Sequence, residues 1–115
     1  MVADDWILAA SSNKLELYAQ PGSFAFSKNR KSDPIAVVTG KSVDKITGQV
    51  DLEKWYVRLT DCVAKQGKLV SLTIGGEFKY DNDFVFGSGT IGSSAAKLIC
   101  DVVTYTAEEK RNKSL

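Results

Sequence analysis

The chain has 115 residues, of which 43% are hydrophobic and 25% charged, an ordinary composition for a single folded domain. Its 15 basic and 14 acidic side chains leave a net charge of +1, without the basic excess that strong nonspecific binding to nucleic acid needs. The absence of histidine excludes Ser-His and Cys-His catalytic pairs and histidine metal ligands, and no apolar run reaches the roughly 18 residues of a membrane span.

The N-terminal third predicts a hairpin. Residues 6–11 form a short apolar run, and residues 15–20 alternate between apolar and polar side chains, which is typical of a half-buried strand. We expect Pro21-Gly22 to end this second strand. Phe24 and Phe26 then alternate with small residues and predict a short third strand or a turn.

A basic segment follows at residues 28–34. Lys28, Arg30 and Lys31 are consistent with a site for an anion or a nucleic acid, but no aromatic or glycine scaffold accompanies them, so a solvated loop is favoured. The next segment, residues 35–39, is β-branched and predicts a strand. Gly40-Lys41-Ser42 fails as the tail of a phosphate-binding loop, because that motif needs a glycine at position 35.

An aromatic strand is predicted over residues 52–62. Alternation places Trp55 and Val57 on one face, which suits a core, and Tyr56 and Arg58 on the other, which suits a solvated face. Tyr56 and Arg58, together with the three cations of the preceding loop, form the candidate partner surface: Tyr56, Arg58, Lys28, Arg30 and Lys31.

A second hairpin is predicted around Gly75-Gly76, between residues 69–74 and a returning strand with Phe78 and Tyr80. Asp81-Asn82-Asp83 does not have the ligand spacing of a calcium-binding EF-hand loop, so a polar turn is the favoured interpretation. These two aspartates and Glu77 are the densest carboxylate group, and they supply the alternative hypothesis of a carboxylate-based hydrolase.

Gly87, Gly89 and Gly92 have the spacing of a dinucleotide-binding loop, between a predicted strand and a predicted helix. Only 23 residues follow Gly92, too few for a βαβ unit, so we interpret the glycines as a tight turn. No cofactor and no metal site is expected.

The C-terminal segment predicts a helix capped by Ser93 or Ser94. Cys100 is expected at the rim of its apolar face, and residues 102–106 suit either a helix or a strand. We expect both ends of the chain, residues 1–5 and 108–115, to be frayed. The apolar face repeats at helical spacing: Ala95, Leu98, Ile99 and Val102.

The only two cysteines, Cys62 and Cys100, are either buried free thiols of a cytosolic protein or one bridge of an exported protein. Val2-Ala3 before Asp4-Asp5 is similar to the end of a signal cleavage site. We therefore expect a signal peptide to have been removed, with a natural cytosolic N-terminus as the alternative.

Several segments resemble small, mostly uncharacterised exported proteins of Gram-negative bacteria. They are Asp61-Cys62, Gly67-Lys68-Leu69, residues 83–91 and residues 95–100. The strand with Trp6 and the hairpin with Tyr18 are loosely similar to the surface-adhesin E-like group of such proteins. The resemblance implies export, a Cys62–Cys100 bridge and a binding role, and it carries no catalytic motif.

The sequence as a whole predicts a single α+β domain over residues 1–115, with a mainly antiparallel twisted sheet of about six strands and one C-terminal helix packed on a face. The expected function is a non-enzymatic exported binding protein of the periplasm or cell surface. We expect its partner to be another protein, with no nucleic acid and no membrane span. The alternatives are an inhibitor or immunity protein against a toxin or hydrolase, and the carboxylate-based hydrolase.

Overall fold

In the computed structural model of the protein, six antiparallel strands form one curled sheet. Strands that are adjacent in sequence are also adjacent in the sheet. The structure describes residues 6–113, with side chains described as far as residue 107. The predicted α+β architecture is confirmed. The elements are β1 (Ile7–Ser11), β2 (Leu15–Lys28), β3 (Pro34–Asp44), β4 (Val50–Arg58), α1 (Leu59–Ala64), β5 (Gln66–Leu72), β6 (Phe78–Val85) and α2 (Ile91–Lys113).

Strand β2 continues through Pro21-Gly22, so the expectation that the strand ends there is wrong. The predicted short third strand is the C-terminal half of β2. The register between β2 and β3 shifts between Gln20 and Ala25, which accommodates the proline without ending the pairing. The Ser23 hydroxyl compensates for the lost ladder, because it accepts the Thr39 N–H at 2.7 Å and donates to the Gln20 carbonyl at 2.7 Å.

The aromatic strand ends at Arg58, and the chain then turns into α1, where the sequence predicted strand as far as residue 62. Asp61 fixes this turn, since its carboxylate accepts hydrogen bonds from the Arg58 guanidinium at 3.0 and 3.3 Å and from the Lys68 N–H at 3.3 Å. Lys65 ends α1 in the left-handed conformation, with φ of 62°. Hydrogen bonds between one carboxylate and residues three and seven positions away therefore override the strand periodicity.

Helix α2 packs on one face of the sheet and touches both edge strands, β1 and β6, as well as the central strands. The core contains the helix residues Ala95, Ala96, Ile99 and Cys100. Leu98, expected on the buried face, is only half-buried, and Cys100 is buried rather than at the rim. Residues 102–106 are helical.

The start of α2 is capped by Thr90 and not by Ser93 or Ser94. The Thr90 hydroxyl accepts the Ser93 N–H at 3.1 Å, which satisfies one of the free donors of the first turn. The turn before it uses Gly87 and Gly89 at φ of 84° and 83°, a conformation that suits glycine.

The predicted polar turn at residues 81–83 is wrong, because these residues pair with β5 inside β6. Residues 1–5 and 114–115, which were expected to be frayed, lie outside the described residues, and over residues 108–113 only helical backbone is described. Within residues 6–113, no helix combines the length and the hydropathy of a membrane span.

A disulfide joins Cys62 of α1 to Cys100 of α2 across a sequence separation of 38 residues. Neither cysteine is free, so the predicted bridge is confirmed. It ties the short helix, and with it the end of β4, to the helix that covers the core.

Cross-linking a loop of this length is expected to stabilise the fold by about 4 kcal/mol in the chain-entropy model. The double variant Cys62→Ala/Cys100→Ala should therefore lose a free energy of unfolding of this order in urea titrations. Thiol counting on the denatured wild-type protein should find no free thiol. Two free thiols, or a urea midpoint that excess reductant leaves unchanged, would contradict the bridge.

The two neighbouring helix residues Ile99 and Leu98 differ in burial, with Ile99 2% exposed and Leu98 half-buried. Ile99→Ala is expected to lower the free energy of unfolding by roughly 2–5 kcal/mol, because it leaves a cavity in the core. Leu98→Ala is expected to cost less, and it serves as the matched control in the same urea titration. A larger loss for Leu98→Ala would mean that the helix presents a different face to the sheet.

Candidate binding groove

The sheet face opposite α2 carries an open groove of 920 Å³, which we call the open-face groove. Its lining comes from β2 to β6, from the loop at residues 29–33, from Asp61 of α1 and from Gly76 in the turn between β5 and β6. Trp55 and Val57 of β4 point to the core. Because side chains alternate along a strand, Lys54, Tyr56 and Arg58 point to the groove.

Strand pairing arranges the floor of the groove in rows that run across the strands. The central row is apolar from β2 to β5, since Ala25 pairs with Val37, Val37 with Tyr56, and Tyr56 with Val70, and it ends at Asp81 of β6, which pairs with Val70. Tyr56 therefore lies in the middle of the floor with aliphatic neighbours on both sides. Such a row is an apolar strip on which a partner's side chains can pack.

Two further rows flank this strip. On one side Ser27 pairs with Ile35 and Ile35 with Arg58. On the other side, the pairing across β3, β4, β5 and β6 joins four residues: Thr39, Lys54, Leu72 and Phe78. Consequently a cation stands on each side of Tyr56 on the same strand.

All five residues of the candidate partner surface line this groove: Tyr56, Arg58, Lys28, Arg30 and Lys31. They come from two segments of the sequence, which the pairing of β2 with β3 and of β3 with β4 brings to one face. Sequence reasoning missed Lys54 and Phe78. The signal for Lys54 was present, because a residue two positions before Tyr56 shares its face.

The groove concentrates the positive charge of the chain. Six basic and two acidic side chains line it, and Asp81 and Asp83 beside it pair with one of the six cations, so the groove and these two aspartates hold a net charge of +2 in a chain of +1. The acidic members are Asp33 and Asp61, and the basic members are Lys28, Arg30, Lys31, Lys54, Arg58 and Lys68.

Two of the six cations are already paired. Asp61 holds Arg58 by hydrogen bonds that raise the pKa of the guanidinium, and Asp33 lies 3.9 Å from it. Lys68 donates to Asp83 at 2.8 Å and lies 3.7 Å from Asp81, and these contacts raise the pKa of its ammonium group. Both cations therefore serve to hold the strands and the loop in place.

The side chains of the other four cations of the groove, Lys28, Arg30, Lys31 and Lys54, make no ion pair and no hydrogen bond with any residue in the described part of the chain. Lys28, Arg30 and Lys31 are exposed, and Lys54 is half-buried beside the apolar strip. These four charges are available to a partner.

A buried carboxylate, Glu53, lies on the opposite face of β4 and is 3% exposed. It accepts hydrogen bonds from the Trp55 indole N–H at 2.8 Å, the Lys79 ammonium at 2.7 Å and the Tyr80 hydroxyl at 3.2 Å. The hydrogen bond to Glu53 raises the pKa of Lys79, and burial raises the pKa of Tyr80. With three donors engaged, this carboxylate connects β4 to β6 across β5 and is not free for chemistry.

The carboxylates of the hydrolase hypothesis are not gathered in a cleft. Glu77, Asp81 and Asp83 are all exposed, and Asp81 and Asp83 share Lys68 on an edge strand. Among the described side chains, residues 6–107, there is no cluster of three acidic or cysteine side chains able to hold a metal ion.

The chain matches no family model, no curated protein and no solved structure. The assignment of a role therefore depends on the chemistry of the open-face groove. That chemistry is an apolar floor with free cations around it, which suits binding.

Removing the Glu53 carboxylate should destabilise the fold to an extent that depends on its replacement. Glu53→Leu leaves the buried Trp55 N–H without an acceptor, so we expect it to lower the free energy of unfolding by about 1–3 kcal/mol. Glu53→Gln keeps an acceptor oxygen and should cost less. Urea denaturation at neutral pH checks this order, and a Leu variant as stable as the wild type would contradict it.

Proposed function

We propose that this protein is an exported, non-enzymatic binding domain of the periplasm or cell surface, which captures a protein partner in its open-face groove. The observation that carries the proposal is the set of four unpaired cations around an apolar floor. A surface that contacts only water needs no combination of an apolar floor with unpaired cations.

The groove has the anatomy of an interface. Its floor offers Tyr56 in a row of aliphatic side chains, and Phe78 stands at its border with 63% of its surface exposed. Interfaces typically combine an apolar, aromatic-rich centre with a polar and charged rim. Exposed aromatic side chains on a rigid sheet also bind at a small entropic cost.

Export is supported by the disulfide, since such bonds persist in oxidising compartments and are rare in the cytosol. The resemblance to small exported proteins of Gram-negative bacteria agrees with this compartment. In that setting a rigid, cross-linked domain with an open groove suits capture of another protein. An inhibitor or immunity protein would use the same kind of surface, with inhibition as the result of capture.

A position-specific cross-linking experiment tests the groove. A photo-reactive phenylalanine analogue is placed at Phe78 in the groove or at Tyr105 on α2, two aromatic positions with 63% and 66% exposure. We expect position 78 to form a discrete adduct with one protein from a periplasmic extract of the source bacterium. Position 105 should not form it, and the purified partner should form it again.

The charge of the groove provides the control. Adding Lys54→Glu to the position 78 variant should abolish the adduct, whereas Lys14→Glu should not, because Lys14 is an exposed lysine outside the groove. Identical adducts from positions 78 and 105, or an adduct that is insensitive to Lys54→Glu, would show that the groove is not the binding surface.

A further inference from the structure

We infer, resting on the proposed function, that the open-face groove binds an extended acidic segment of its partner that also carries aromatic or aliphatic side chains. The groove crosses five strands, β2 to β6. At about 4.8 Å between strands this crossing is roughly 19 Å long, which an extended chain of about six residues spans. A segment of this length matches the open groove better than a small molecule, which needs enclosure.

The charges of the groove select an acidic ligand. Lys54 stands beside the apolar strip, and Lys28, Arg30 and Lys31 stand at its β2 end. None of these four has an anionic partner among the side chains of residues 6–107. A segment with carboxylates near both positions neutralises these charges while its apolar side chains pack on Val37, Tyr56 and Val70.

The arrangement favours a peptide over a nucleic acid. A continuous phosphate backbone would have to pass Asp33 and Asp61 in the groove, with Asp81 and Asp83 beside Lys68. A peptide can carry its acidic residues only where the free cations are. The floor row contains one aromatic side chain, Tyr56, whereas single-stranded nucleic acids bind on successive aromatic platforms.

The probe is a fluorescent random copolymer of glutamate and tyrosine, titrated with the full chain and followed by anisotropy. We expect it to bind the wild type more tightly than polyglutamate, which lacks apolar side chains, and more tightly than a short oligothymidylate. Added salt should weaken binding, because charge pairs near the surface are screened.

Two groove variants and two matched control variants test whether the copolymer binds in the open-face groove. Lys54→Glu should weaken binding about tenfold or more, since it replaces an attractive charge by a repulsive one. Phe78→Ser should weaken it by a smaller factor. Lys14→Glu and Tyr105→Ser change the same charge and a similarly exposed aromatic outside the groove, and they should leave the affinity unchanged.

Each outcome decides the inference. No copolymer binding, equal binding to all four variants, or binding of oligothymidylate as tight as that of the copolymer overturns it. Thermal unfolding shows whether each variant folds, and Arg30→Glu/Lys31→Glu in the exposed loop replaces Lys54→Glu if that variant does not. A partner cross-linked at position 78 in the absence of copolymer binding would overturn this inference alone. Equal cross-linking at positions 78 and 105 would overturn the proposed function.

Discussion

One helix has to cover one face of a six-stranded sheet, and the arrangement of the molecule follows from this constraint. The helix can approach the strands closely where both present small side chains, as at Ala36, Ala95 and Ala96, each at most 1% exposed. The Trp55 ring belongs to the same core. The ring lies against the backbone of Gly40, where any β-carbon would collide with it at 2.5 Å. A glycine in the middle of β3 is thereby explained by packing and not by phosphate binding.

Two nearly buried carboxylates anchor the strands around this core. Glu53 draws in donors from β4 and β6, and Asp61 holds Arg58 and the start of β5. A buried carboxylate is costly unless its oxygens are satisfied, and both are. Gly67 belongs to the same arrangement, because a side chain there would occupy the space of the Asp61 carboxylate. The cations engaged in these contacts are structural, which separates them from the four that remain free.

The alternation of apolar and polar residues predicted the sheet, because that signal is local to each strand. It also placed Tyr56 and Arg58 on the open face correctly. The alternation did not predict α1, because the turn at Asp61 depends on a hydrogen bond from the Lys68 N–H, seven residues further along the chain. The continuation of β2 past Pro21 depends in the same way on Ser23 reaching Thr39 of another strand. The rows of the groove are a property of register, which brings Ala25, Val37 and Val70 beside Tyr56 from four separate strands.

The structure changes the interpretation of the near-neutral total charge, because the charge is unevenly distributed over the molecule. A net charge of +1 argues against long-range attraction of polyanions, yet the groove together with Asp81 and Asp83 beside it holds +2. Charges are screened beyond about 8 Å at physiological salt, so a partner in the groove meets mainly the local excess. A large polyanion that extends past the groove also meets Asp81 and Asp83 at its β6 edge. Specificity needs such repulsion as well as attraction. The separation of charge thus favours a short acidic segment that ends where the groove ends, and it disfavours long polyanions without any need for a deep pocket.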